Sequence, residues 1–573
     1  MASREVASPL FIDNMSICLA IFLAVFRMVV IPAQFEDKAF VSSSVQIEKN
    51  MSTAEQYFNE QFQGIKSFSF EIAPTVTLSK PLSYYGSNYP DRRDVLLHEA
   101  VREACILSDE AINFADYSSI VILFAGMSEA DGAGPEYIWP QHGRLSDYGN
   151  ILFLDGTRIN SFSVSTELSS DQGKNPKLSG IGVMCHEIGH AFDLYDLYDT
   201  DFEGSGGVSK GIWGTGLMDK GSSEHLGSTP PNFSALDMEI LGIGDCDTLK
   251  SGSYKLNPIN KDRQYLKLLT DTEGEYFLLE CREAKGWDAN IGGSGLLIYH
   301  IDRSENDAGY SDLLGKNLSA AQRWEKSQIN CRPDRQCAYI VPANPDAEEA
   351  SEIFFPQPGH NSFGADTCPA LRYWSGNSSE LALINIEANP DGSVSFDAIK
   401  AIELTEIGIF QDAAILQWEV SPSFKAIEGF TVEWTDGEHL LSEQLGADAR
   451  SFTIEGLLPQ KAYKAKLTLI SASGDKFSVT TDIITKFYRK GTLPYIYLSG
   501  SQRNADGSFV SGAKIPLRVF NAPGLAEVQW FFNGRAIKAG EDGYYTVLNS
   551  GTLKARLLYR NGESEIIIKE IKI

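Results

Sequence analysis

Positive charge is what this chain has least of: 49 Lys and Arg face 76 Asp and Glu, leaving a formal net charge of -27 over 573 residues. No broad basic surface can be assembled from that balance, which argues against a nucleic-acid partner and against docking on anionic lipid. Cysteine is scarce too. The eight thiols show no repeated metal-ligand spacing and no dense disulfide framework. Cys331 and Cys337 are close enough in sequence to close a small loop in an oxidising compartment, whereas Cys185 is read as a core residue. Long apolar runs are also wanting. Met15 to Phe26 has the length of a signal-peptide h-region and is too short to span a bilayer with confidence. Its flanks are unusual for a leader: only Arg4 precedes it, Asp13 intervenes, and apolar character continues beyond Arg27.

Histidine is rare as well, with eight in the chain, and this makes the placing of two of them informative. In Gly182-Val-Met-Cys-His-Glu-Ile-Gly-His-Ala, His186, Glu187 and His190 form the pattern H-E-x-x-H. An accidental match is expected on the order of once in a hundred such chains. The surrounding Leu178 to Ala191 has apolar residues at helical spacing and no proline, with Pro176 and Ser179 near its start, so it predicts a helix. On one face of that helix both imidazoles can turn toward a single zinc ion. Glu187 then stands where a carboxylate takes the proton of a water whose pKa the metal has lowered to roughly 7. Such an arrangement is hydrolytic. The competing structural reading, two buried and hydrogen-bonded histidines, leaves the intervening Glu187 unexplained.

The length predicts three or four domains. Residues 1–26 are read as a leader-like apolar segment. Residues 27–250 alternate strands and helices and predict an α/β region: a strand at Met28 to Phe35, a long helix at Asp91 to Phe114, a buried strand at Ser119 to Ala125 and another at Ile151 to Leu154. In the second of these, His98-Glu99 is followed by Arg102 and reads as an ordinary helix face. Residues 251–400 are β-rich, with strands at Tyr276 to Glu280, Gly295 to Ile301, Leu381 to Ile386 and Ser393 to Ala398. His300 and Asp302 lie at one of them and are taken as structural. Residues 401–490 carry Trp418, Val432-Glu-Trp434 and Gly456-Leu-Leu-Pro-Gln-Lys-Ala-Tyr463, the pattern of a fibronectin type III-like sandwich with its tyrosine corner. Residues 491–573 repeat that grammar around Trp530-Phe-Phe-Asn-Gly534 and predict an immunoglobulin-like sandwich.

A catalytic zinc takes three protein ligands, and after His190 the nearby candidates are the carboxylates Asp193, Asp196, Asp199 and Asp201. A helix that stops just after His190 and reverses returns Asp196 to the metal, with Asp193 in a left-handed turn. His186-Glu-Ile-Gly-His-Ala-Phe-Asp-Leu-Tyr-Asp-Leu-Tyr-Asp199 resembles the zinc site of the immune inhibitor A metallopeptidases, metzincin-like enzymes with the pattern H-E-x-G-H-x-x-G-x-P-D-x-Y-D. The resemblance extends to Met28-Val-Val-Ile-Pro-Ala-Gln-Phe-Glu-Asp37, Trp213-Gly-Thr-Gly-Leu-Met218-Asp, Pro231 to Gly242 and three β-rich segments, Glu275 to Arg282, Gly286 to Asp288 and Gly295 to Asp302. It therefore covers about Arg27 to Lys400. It implies a metzincin-like α/β fold, zinc held by His186, His190 and Asp196, Glu187 as general base, and Met218 in a methionine turn beneath the metal. Asp193 and Tyr195 stand where the family usually has glycine and proline. Core packing is the alternative role for Met218. Asp199 and Asp201 read either as a solvated acidic loop or as calcium ligands near the flexible Gly204-Ser-Gly-Gly207.

The function expected from the sequence is a secreted or cell-surface zinc endopeptidase acting on protein or peptide substrates as a monomer. An extended substrate is expected along a sheet edge at the Ser119 or the Ile151 strand, and the C-terminal modules are expected to contact a cell surface or matrix. The rival is a catalytically silent adhesin whose sandwiches do the work. Glu187 separates the two, since a structural zinc does not require it.

Overall fold

Valine and isoleucine crowd the start of the described chain, and with no polar alternation among them they form a strand covered on both faces. This is β1 (Val25–Gln34), in which Met28, Val29, Val30 and Ile31 are fully buried. The computed structural model describes residues 25–90, 92–421, 426–472, 474, 476–486, 493–498, 503–504, 506–522, 524–540 and 544–573. The leader-like segment therefore lies, up to residue 24, outside the described residues. The chain is multidomain and β-rich, and it divides into two compact units. One comprises residues up to Asp196, Gly214–Gly244 and Gly286–Asn290. The other holds Leu197–Trp213, Asp245–Lys285 and Ile291–Ile573.

In the first unit β1 pairs in parallel with β2 (Ser67–Ile72) on one side and with β3 (Ser119–Met127) on the other. Beyond β3 runs β5 (Ser161–Asp171), also parallel. The sheet ends in the short antiparallel strand β4 (Gln141–Arg144), giving the order β2-β1-β3-β5-β4. Helix α1 (Ser44–Gln61) starts at a capping box in which the Ser43 hydroxyl accepts the Gln46 N–H, and it buries Ile47, Met51, Ala54, Tyr57 and Phe58. Helix α2 (Leu97–Ser108) shares a core with Val29, Ile31 and Ala33 through Leu97, Ala100, Val101 and Ala104. On the opposite sheet face, Leu123 and Ser165 line a small cavity together with Met51 of α1 and Met184 of a third helix, α3 (Gly182–His190).

Three expectations are corrected here. The helix foreseen over Asp91 to Phe114 is confined to Leu97–Ser108, because Asp94 takes a left-handed conformation (φ 47°). Its carboxylate accepts hydrogen bonds from the Trp139 N–H (2.9 Å) and Gln141 Nε2 (3.1 Å). Ser119 to Ala125 lies inside the sheet, and the Ile151 region forms a separate hairpin of Leu152–Leu154 with Thr157–Ile159, so the edge strand beside β5 is β4. Cys331 and Cys337 are free thiols with no disulfide between them. Their loop is closed by the Cys337 N–H to Ile329 carbonyl bond (3.0 Å) and by the Asn330 side chain, which exchanges hydrogen bonds with the Ala338 backbone.

The second unit begins with a five-stranded sheet whose middle strands are Glu275–Arg282 and Gly295–Asp302. His300 is buried between Phe277 and Trp374 and bonded to Glu275 (2.8 Å), a core histidine as expected. Further on, a three-stranded sheet (Ile402–Ile409, Ala413–Val420, Ser451–Glu455) and a four-stranded one share a core of Trp418, Phe430, Val432, Ile454 and Leu467. The Tyr463 hydroxyl accepts the Leu458 N–H (2.9 Å), the upstream bond of a tyrosine corner. In the last module Asn533 and Gly534, both at positive φ, turn Leu525–Phe532 into Arg535–Ile537, the two-residue hairpin that an Asn-Gly pair favours. No helix among the described residues is long and apolar enough to cross a membrane.

Asp94 supplies a test of this packing. Burial pushes its carboxyl up from 3.8 to about 7, and its Oδ1 is buried without a partner. The folded state therefore prefers the protonated acid, so stability is full below about pH 4 and declines as pH rises through 7. Urea titrations should show that decline in the natural protein, on the order of 1 kcal/mol per pH unit, and a flatter profile in Asp94→Asn. Parallel profiles would contradict the assignment.

Candidate metal centre

Helix α3 is placed by glycines at three points. A Cβ on Gly182 would stand 2.0 Å from the Ser222 carbonyl oxygen and one on Gly180 2.2 Å from the Gly227 backbone, so the helix start lies directly against the 222–227 loop. Gly189, inside the motif, faces the buried Met218, whose sulfur would be 2.8 Å from an added Cβ. The methionine thus packs against the helix at Gly189, inside the motif. The helix ends after His190: the Phe192 and Leu194 N–H groups both return to the Gly189 carbonyl, and Asp193 is left-handed at φ 63°. This reversal carries the chain back to Asp196.

Two backbone carbonyls then orient the imidazoles. His186 Nδ1 lies 2.9 Å from the Leu217 oxygen and His190 Nδ1 2.8 Å from the Leu194 oxygen. A carbonyl only accepts, so each Nδ1 carries a proton and each ring, when neutral, presents the Nε2 lone pair. Both point at Asp196, with Oδ1 3.0 Å from His186 Nε2 and 3.3 Å from His190 Nε2. Three acceptors so close together require a cation or protons among them. Ligands tetrahedrally placed about 2.0–2.1 Å from zinc stand about 3.3 Å apart, close to the separations found. His186, Glu187 and His190 form a group of donors able to hold a metal, their ligand atoms lying within 4.8 Å of one another. The donor set of two imidazoles and a carboxylate suits zinc.

Electrostatics follow the same geometry. Burial works against charge on His186, but the hydrogen bond and charge of Asp196 carry it up to about 9. Burial would raise Asp196, yet its bonds to the two histidines hold it well below the usual carboxylate range. These opposite shifts describe a single charge cluster. Glu187 is 7% exposed, and burial raises its affinity for a proton against the pull of the neighbouring histidines, the direction a general base working near neutrality needs.

The residue that sequence reading missed is His142 on β4. Its ring lies 6.4 Å from that of His190, and its backbone favours the charged form of Glu187. The Ser163 hydroxyl donates to the Glu187 carbonyl (2.9 Å), so at the Ser163 contact (3.0 Å) His142 Nδ1 is the donor. Burial, reinforced by the nearby His190, depresses His142 to about 4 and keeps it neutral. Its rarity as a histidine was the only sequence signal available.

Asp199 and Asp201 lie in the second unit. Asp199 accepts the N–H groups of Asp201 (3.1 Å) and Ser209 (2.8 Å), and Asp201 Oδ2 accepts the Ser205 hydroxyl (2.5 Å). Burial, with the adjacent Asp201 carboxylate contributing, raises Asp199 to about 6.

The turn after the helix can be tested directly. Glycine relieves the steric cost of a left-handed residue, so Asp193→Gly should leave the protein as stable or gain about 0.5–1 kcal/mol in urea denaturation, and Asp193→Val should lose more than that. A destabilised glycine variant would contradict the turn.

Residues 117–242 match the family described as immune inhibitor A peptidase M6, catalytic domain. Pre-pro-metalloprotease PrtV of Vibrio cholerae serotype O1, in two strains, is 28% identical over 239 residues, which cover 36% of this chain and 25% of the relative. The chain thus matches only a quarter of that relative's length. Solved structures similar to parts of the chain include one titled "Myokine structure" (20% identity, 14% of this chain and 92% of that one, TM-score 0.14) and the fn3 domain of human contactin 1 (17%, 16% and 82%, TM-score 0.14). The motif that begins at His186 lies inside the residues matched to the immune inhibitor A peptidase M6 catalytic domain.

Proposed function

We propose that this chain is a secreted or cell-surface zinc endopeptidase, with a metzincin-like catalytic domain over residues 27–250 and a β-rich extension to residue 400. The fibronectin type III-like (401–490) and immunoglobulin-like (491–573) modules contact a cell surface or matrix. The observation that carries the reading is the convergence of His186 Nε2, His190 Nε2 and Asp196 Oδ1 with Glu187 beside them. His186, His190 and Asp196 would hold the ion, and Met218 would form the floor beneath. Zinc, when bound, lowers the pKa of a coordinated water to about 7 and polarises the scissile carbonyl.

The chain's own residues do the rest. Glu187, beside the two histidines, takes a proton from the attacking water and returns it to the leaving amine. Ser163 on β5 fixes the backbone of the same residue through the Glu187 carbonyl. An extended peptide adds to the outer edge of β4, which among the described strands pairs with β5 alone. The adhesin reading gains no comparable support, because it gives a buried, oriented Glu187 nothing to do.

Calcium at Asp199 and Asp201 is a second, separate proposal. It is supported by the adjacency of the two carboxylates and by a buried Asp201 Oδ1 without a partner. Calcium should raise the melting temperature of the natural protein, and Asp199→Asn should abolish the rise. Equal shifts in both proteins would remove the site.

Catalysis is tested by digesting a proteome-derived peptide library with and without a zinc chelator. Cleavage should be chelator-sensitive, and Glu187→Gln should retain zinc while losing about 10²–10⁴-fold in kcat/KM. Undiminished cleavage by Glu187→Gln would refute the assignment.

A further inference from the structure

The side chains of β4 divide by register. Gly143 pairs with Phe162, and a Cβ on it would stand 2.9 Å from the Phe162 ring, which belongs to the apolar core shared with Val29 and Ile31. The residues on either side therefore face the other way, toward α3. His142 pairs with Ser163, whose hydroxyl reaches the Glu187 carbonyl, and Arg144 pairs with Ser161, two residues along β5 on that same face. Ser161 also bonds His142 Nε2 (3.2 Å), so Arg144, Ser161, His142 and His190 lie in succession on one surface.

Arg144 is exposed, and among the described residues it makes no side-chain hydrogen bond or ion pair. Its charge is nevertheless felt at the His142 imidazole. In a chain of net charge -27, an uncommitted guanidinium on the metal-facing side of the substrate edge has a consequence for selection. A guanidinium recognises a carboxylate through paired, charge-assisted hydrogen bonds, which lysine reproduces only in part.

Resting on the peptidase reading above, we propose that Arg144 is a specificity-determining residue that selects substrates with an Asp or Glu side chain beside the scissile bond. Added antiparallel to β4, the substrate runs toward its own N-terminus as β4 runs from His142 to Arg144. With His142 beside the metal cluster, Arg144 then meets the residue about two positions on the N-terminal side of the cut.

The test is the cleavage profile of the full chain on a proteome-derived peptide library, followed by paired peptides differing only by Glu or Gln at the selected position. The natural protein should enrich Asp and Glu about two residues N-terminal to the cut and prefer the Glu peptide by about threefold to tenfold in kcat/KM, chiefly through KM. Raising the salt concentration should shrink that preference. Arg144→Gln should bring the ratio near one, Arg144→Glu should invert it, and Arg144→Lys should retain part of it. Cleavage without acidic enrichment, or enrichment that survives in Arg144→Glu, overturns the role of Arg144 and leaves the peptidase reading standing. Absence of any cleavage by the natural protein overturns both.

Discussion

Two backbone carbonyls, those of Leu217 and Leu194, decide what this fold can do. By accepting the Nδ1 protons of His186 and His190 they fix both tautomers and aim both Nε2 lone pairs at one point, where Asp196 supplies the third donor. Each carbonyl depends on a local device. Leu217 is set by the turn that inserts Met218 beneath Gly189, and Leu194 by the left-handed Asp193 that ends the helix. The motif is thus the visible part of an arrangement whose rigidity comes from backbone.

The sheet edge extends the same logic outward. Serines replace apolar residues on the side of β5 that faces α3, with Ser163 holding the Glu187 carbonyl, while Phe162 and Val164 bury the opposite side. The alternation divides one strand between core and chemistry. β4, paired to it, carries His142 on the same face as Ser163 and has no second strand partner among the described residues.

Legibility in the sequence followed locality. His186, Glu187, His190 and Asp196 lie within eleven consecutive residues, so helical spacing and a single reversal sufficed to bring them together. The Asn-Gly hairpin and the tyrosine corner were equally readable because each is a local backbone preference. β4 was not, since Gln-His-Gly-Arg is short, polar and without alternation, and its place depends on a strand nearly twenty residues downstream. The Ser119 strand was misjudged as an edge although its continuous apolar run is that of a strand buried on both faces. The helix before Leu97 failed because apolar periodicity is blind to a buried carboxylate holding the backbone left-handed at Asp94.

The claim on which the account rests is a mononuclear zinc held by two imidazoles and one carboxylate. X-ray absorption at the zinc edge, with elemental analysis of the same purified sample, addresses it most directly. The account predicts one zinc per chain with two nitrogen neighbours and light oxygen neighbours at about 2.0–2.1 Å, and loss of the ion in His190→Ala. Zinc in a sulfur environment, or a full complement of zinc in His190→Ala, would contradict it.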